Sequence, residues 1–252
     1  MMGENKIYFA EGDHPKMVEA YKKAQETFKY FWRELSWEYR RVVPGLDMAS
    51  VKVAFTQEVE GQDEPVVEHM WIGNLDFDGK VIYGELLNEP NEITELVEGD
   101  QVGVTLDQIS DWMFISQGKS YGGFTVQALR SEMTDEERAE HDAAWGLDFG
   151  DFNEVTIVID QQESPENLVE HPMSKNMKEN LGDFLTKNPE EVSRLDEAGF
   201  TFLQKEVIAG NLTSVEVLLA HGADKNAVNN EGKTALDYAK EMNWEHIIPV
   251  LA

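Results

Sequence analysis

The 252-residue chain contains no cysteine, which excludes a disulfide framework, a thiolate nucleophile and any cysteine-ligated metal site, and fits a reducing cytoplasm. Positive charge is scarce as well: 21 Lys and Arg stand against 49 Asp and Glu, a formal net charge of −28. So large an acidic excess argues against nucleic acids and anionic membranes as direct partners. Long apolar runs are missing, since no segment approaches the ~18 apolar residues of a membrane span. The first twenty residues hold acids and lack the basic and apolar regions of a signal peptide. A soluble, cytoplasmic protein is therefore expected. Three motifs of chemistry are absent too: HExxH, GxxxxGK[ST] and the EF-hand loop. The histidines (His14, His69, His141, His171, His221, His246) are scattered without metal-ligand spacing. The sequence thus offers no catalytic residue, no metal site and no cofactor loop.

What is present points to a folded protein under an acidic surface: 41% of residues are hydrophobic, with 12 Phe and 6 Trp, too many for a disordered acidic chain. At roughly 150 residues per domain the length fits two units. Residues 1–48 balance eight basic against eight acidic groups, whereas residues 49–170 hold five against 28 and residues 171–252 eight against 13. This shift in composition, with Ser164-Pro165 as a break, places domains at 1–165 and 166–252. The acidic middle suits either a solvated face or a basic partner.

From Asp13 the run DHPKMVEAYKKAQETFKYFWRELSWEYRR repeats apolar residues at helical spacing: Met17, Ala20, Tyr21, Ala24, Phe28, Phe31 and Leu35. Asp13 is the expected N-cap, Pro15 fits the first turn, and Pro44-Gly45 stops the run. Its aromatics, including Trp32 and Trp37, are expected to serve core packing. Short extended runs follow at 50–55, 66–75, 80–87 and 101–106, separated by turn-rich stretches that include Asp78-Gly79, Asn88–Asn91 and Glu98-Gly99-Asp100. A helix followed by strands without interposed helices predicts an α+β layer with a mainly antiparallel sheet. QISDWMFI (108–115) then leads through glycines into a short helix within 118–130.

Polar residues inside these runs are the candidates for a pocket or binding surface: His69, Trp71, Asn88, Asp111 and Trp112. Glu68 and His69 are adjacent on a strand, so alternation turns them to opposite faces and they make no acid–base pair. Asp111 beside Trp112 either positions a cation or accepts local backbone hydrogen bonds. The stretch EHMWIGNLDFDGKVIYGELLNEPNEITELVEGDQVGV (68–104), with ISDWMFISQGKSYGGFT (109–125) and the helical approach DHPKMVEAYKKAQETFKYFW, resembles the bacterial domain family that includes YegJ-like proteins. The resemblance covers residues 13–130 and rests on Trp71, Gly84, Asn88, Pro90, Gly99, Asp100, Asp111, Trp112 and Gly122-Gly123. It implies a domain identity and no activity.

Residues 131–145 open with Thr134 and Glu137, a capping box, and are expected to form a helix whose Ala139, Ala143 and Ala144 face the body. Val155–Ile159 reads as a strand-like run, and Asp148, Asp151, Glu154 and Asp160 as a solvated rim. In the tail, GFTFL at 199–203 recurs as GKTAL at 232–236, and Leu185, Leu218 and Leu251 fall at the same 33-residue offset. A 33-residue period fits one turn plus two short helices stacked on neighbouring copies. With the AGN turn, VEVLL and GADKNA, the segment 199–231 resembles ankyrin repeats, followed by a terminal copy in GKTALDYAK and NWEHIIPVLA and preceded by a degenerate one in 173–198. It departs from the family's TPLH at Phe202 and Gln204. The resemblance implies a short all-α array that recognises proteins, with Lys225, Asn229, Asn230 and Glu231 at the repeat tip.

The reading that follows is a bacterial protein-interaction or regulatory module. In one concrete version, immunity-like, the acidic surface binds a basic protein such as a nucleic-acid-cleaving toxin. Two alternatives stand beside it: a small-molecule-binding domain or hydrolase with a pocket near His69 and Asp111, and a non-catalytic scaffold. Oligomeric state is open.

Overall fold

The computed structural model describes residues 14–59 and 64–252. The expected N-cap Asp13 lies outside them. Helix α1 (Pro15–Glu38) has the apolar spacing read from the sequence. Met17, Ala20, Ala24, Phe28, Phe31 and Leu35 are all buried along it. By their contacts the residues divide into two units, the first running to Phe28 and resuming over Val43–Ile157, the second combining Lys29–Val42 with Val158–Ala252. The last turns of α1 therefore count with the second unit.

Among the described residues the first unit is built on six strands: β1 (Met48–Gln57), β2 (Val66–Phe77), β3 (Val81–Leu86), β4 (Gln101–Thr105), β5 (Ile109–Ser116) and β6 (Lys119–Gly122). They lie in the order β4-β3-β2-β1-β5-β6, every neighbouring pair antiparallel. The central part of one face of β1 and β2 is apolar, with Val51 opposite Ile72 and Val53 opposite Met70. Trp112 donates its indole N–H to the Ala24 carbonyl at 3.1 Å, and the Phe28 ring meets Phe77 edge-on, so the first turns of α1 cover the sheet.

The sheet cannot be flat. Strands β4 and β5 are four positions apart, about 19 Å in a flat sheet, yet only the 3₁₀ turn Leu106–Gln108 joins them. Four residues extended reach at most ~14 Å, so the sheet must curl until its β4 side approaches the start of β5. Gln25 on α1 fastens that link by donating to the carbonyls of Asp107 and Ile109.

The Asp78-Gly79 corner forms as read, with Asp78 Oδ1 accepting from the amides of Lys80 and Val81. Strand β6 was not foreseen. It pairs with β5 through a two-residue turn at Gln117 and Gly118, whose φ values of 51° and 74° are both left-handed. Such a turn matches the twist of a hairpin. The short helix α2 (Phe124–Arg130) follows, then α3 (Asp135–Trp145), which carries the Thr134–Glu137 capping box. Two expectations fail here. Ala139, Ala143 and Ala144 are exposed, and α3 instead turns its polar side inward, where Asp142 receives a bidentate Arg130 guanidinium at 2.9 and 2.6 Å. Val155–Ile159 joins no ladder, although the Thr156 carbonyl accepts from Gly122.

In the second unit, 3₁₀ turns at Pro165–Leu168 and Pro189–Val192 accompany the helices α4 (Pro172–Asn176), α5 (Lys178–Lys187), α6 (Phe202–Ile208), α7 (Leu212–Ala220), α8 (Ala235–Glu241) and α9 (Ile248–Leu251). Leu185, Leu218 and Leu251 are 1%, 0% and 3% exposed, the common core position of the 33-residue repeat. Thr201 and Thr234 each cap the first helix of a copy through a capping box. Gln204, where the family's TPLH has His, completes the Thr201 box and reaches the carbonyls of Ala227 and Lys233 in the following loop. Among the described residues no helix is long and apolar enough to cross a membrane.

Candidate functional site

Strand register assembles part of the sequence-named set. Lys52 lies opposite Trp71 on one side and Asp111 on the other, and His69, opposite Ala54, projects from the same face two residues along β2. The Lys52 ammonium stands 5.8 Å from the Trp71 ring centre, and the His69 imidazole stacks on Tyr21 at 5.2 Å. His69, Trp71 and Asp111 thus share a face with two residues that sequence reasoning did not single out as site candidates, Lys52 and Tyr21. Trp112 turns to the opposite face by alternation. Asn88 reaches the group only through the backbone, its Oδ1 accepting from the Trp71 amide at 3.1 Å.

Asp111 is wholly buried and its partners are fixed. Its carboxylate accepts from the amides of Trp112, Phe124 and Thr125 at 2.8, 2.9 and 2.8 Å and from the Thr125 hydroxyl at 2.6 Å. The side chain therefore occupies the start of α2, where Gly122 and Gly123 turn the chain back. Burial pushes its carboxyl up to about 6, against the hydrogen bonds and the Lys52 charge. Burial lowers Lys52, with Asp111 opposing, and lowers His69, with Lys52 adding to the effect. Burial raises the Tyr21 phenol, and Asp111 raises it further. His69 Nδ1 is buried without a hydrogen-bond partner among the described residues. Glu68 is committed elsewhere, accepting the amides of Asn91, Glu92 and Ile93 and so pinning the loop before β4. Lys52 had a visible signal: it is the one charge inside the apolar run SVKVAF.

The repeat-tip set is largely occupied in building the tip. Asn229 accepts from the amides of Glu231 and Lys233 and donates to the Tyr238 hydroxyl at 2.7 Å. Asp196, 33 residues earlier, accepts from Ala198 and Phe200 in the same manner. Asn230 donates to the Ala198 carbonyl, and Lys225 to the Ala252 carbonyl. Glu231 stands 3.9 Å from Lys233.

A buried polar network in the second unit escaped sequence reasoning. Arg33, 1% exposed, donates to the carbonyls of Asn167, Leu168 and Val169 and faces the rings of Tyr30 and Trp244. Burial lowers its guanidinium to about 10. Glu34 is held between His171 and Arg41, each at 2.9 Å. Burial pushes the Glu34 carboxyl up, but these partners outweigh it and leave it below the usual range. Trp37 donates to Asn211, which donates to Glu206, itself 2.7 Å from Arg40. Among the described residues no group of three or more His, Asp or Glu is placed to hold a metal ion.

A family of uncharacterized proteins conserved in bacteria, DUF2314, matches residues 14–149, and ankyrin repeats match residues 185–239. A protein of Neisseria meningitidis serogroup B, named for its ankyrin repeats, is 47% identical over 251 residues, covering 100% of this chain and 98% of its own length. The uncharacterized protein YegJ of Escherichia coli K12 is 30% identical over 78 residues, which are 31% of this chain and 51% of YegJ.

Proposed function

We infer the function from one premise: the chain belongs to the DUF2314 family of proteins conserved in bacteria, and its second unit carries ankyrin repeats. Ankyrin repeats generally mediate protein–protein interactions. The chain acts by binding a protein, and its partner is basic. The observation that carries this reading is the placement of charge, with 28 acidic and five basic groups in residues 49–170. Such a surface steers a cationic partner and rejects anionic ones. Asp111 and Trp112 are fully buried and out of a partner's reach, which leaves His69, Trp71 and Asn88 as a second contact candidate in the same domain, and the Lys225–Glu231 tip is the candidate on the repeats. Inhibition of a basic nucleic-acid-cleaving toxin is one concrete form of this activity, with the cytoplasm as its place.

Affinity capture from the native host tests the reading. The expected result is a basic protein released by raising salt to ~0.5 M, where the Debye length falls to ~4–5 Å. It should also be lost from a variant with Glu→Lys changes at exposed acids of residues 131–170. Capture of an acidic protein, or binding indifferent to salt and charge reversal, overturns it.

A further inference from the structure

A cleft of about 450 Å³ opens in the first unit between the early turns of α1, the helix α2 and the segment 152–155. Small side chains create it: Ala20 on α1 and Ala128 on α2 both line the space, where longer residues would fill it. Its apolar wall is made by Ala20 and Phe124, both buried, with Val155 and Phe152. Its volume falls in the range of ~300–1,000 Å³ usual for occupied pockets.

The charges around the opening are unbalanced. Lys16 is answered by Glu132 at 3.4 Å and donates to the Ser131 hydroxyl at 2.9 Å. Lys23 is answered by Glu19 at 2.9 Å. Asp151 and Glu154 flank the lining residues Phe152, Asn153 and Val155 and are exposed. Asp151 accepts from the Asn153 amide and side chain. A third cation, Arg138, lies 4.6 Å from the Phe152 ring centre and is answered by Asp135 at 3.3 Å. With these rim cations matched, Asp151 and Glu154 leave the opening negative.

We propose that this cleft is the anchor point of the basic partner: it takes an aromatic side chain from a lysine- and arginine-rich segment, while Asp151 and Glu154 meet the cations on either side. The inference rests on the basic-partner reading above and assigns it a place. A buried aromatic anchor inside a polar rim is the arrangement that concentrates binding energy at protein interfaces.

The test uses the full chain and two synthetic peptides, a lysine-rich nine-residue peptide with a central tryptophan and the same peptide with a central alanine. Affinities are measured by fluorescence anisotropy at physiological salt. The tryptophan peptide should bind about tenfold tighter, the mark of one well-placed apolar anchor. In Ala128→Leu, which keeps a good helix former in α2, that advantage should vanish while the alanine peptide binds as before. Amide shifts caused by the tryptophan peptide should centre on Ala128 and Asn153 in the unmodified chain, a readout independent of the variant. Equal affinities for the two peptides, or shifts elsewhere, overturn the cleft and leave the basic-partner reading standing. Failure of both peptides to bind removes both.

Discussion

At Asp111, burial and hydrogen bonding pull the ionisation of one carboxyl in opposite directions. Its carboxyl ionises at about 6 in the folded chain against 3.8 for an ordinary aspartate. Between those values the folded state holds the extra proton, so this group's contribution to stability is present below about pH 4 and is lost as the pH rises through about 6. The difference amounts to roughly 3 kcal/mol. Asp111→Asn removes the titration while keeping the shape. The amide oxygen can still accept from Trp112 and Phe124, but the amide nitrogen then faces the Thr125 N–H, a mismatch costing about 1–3 kcal/mol at pH 7. The variant should therefore be destabilised by about 1–3 kcal/mol at neutral pH and by roughly 4–6 kcal/mol near pH 4, since only the unmodified protein gains on acidification. Hydrogen exchange at the Phe124 and Thr125 amides, followed for both proteins from pH 7 to pH 4, reads this locally, and taking the difference cancels every other carboxylate. Parallel pH profiles, or a gap that narrows in acid, would refute the argument.

Other substitutions test the second unit. Gly210 has φ +74° and a Cβ there would lie 2.5 Å from the Trp244 ring, so Gly210→Ala should cost ~2–5 kcal/mol from left-handed strain and overpacking together, measured by urea unfolding. A cost of only ~1–2 kcal/mol would show that Trp244 moves aside and the left-handed strain alone remains, and a smaller one would refute both contributions. Leu218→Ala empties a fully buried repeat position and should cost about 2–5 kcal/mol in the same assay. Glu34→Ala takes the acceptor from the buried His171 Nε2, while Arg41 keeps Glu38 at 2.7 Å, and should cost ~1–3 kcal/mol, with Glu34→Gln milder; equal effects of the two would count against a hydrogen-bonding role.

Legibility in the sequence followed physical range. The α1 stripe, the Asp78-Gly79 corner and the 33-residue offset are local periodicities, and each appears in the fold. Strand β6 was hidden because KSYG is short and closes on Gly122, so its alternation never develops. The three alanines of α3 misled because a helix with no apolar stripe can be held by its polar and aromatic side chains, Asp142 on Arg130, Arg138 on Phe152, and His141 and Trp145 on Phe149. The grouping of His69, Trp71 and Asp111 depends on strand pairing across the chain, and the burial of Lys52 beside them follows from the same pairing. Asn229 reads as a surface tip residue until the repeat offset is applied to its hydrogen bonds as well as to its leucines.

The division of α1 also has a consequence in time. Arg33 finds its carbonyl acceptors as far as Val169, 136 residues downstream. At ribosomal speeds of about 5–20 residues per second, that places roughly 7 to 27 s between the synthesis of the guanidinium and of its last partner. For that interval the aromatic and charged end of α1 has left the ribosome while the repeats that complete its unit are still being made. A nascent chain halted before residue 158 should therefore expose Trp32 and Trp37 to chaperones, and release of that hold should coincide with emergence of the repeats.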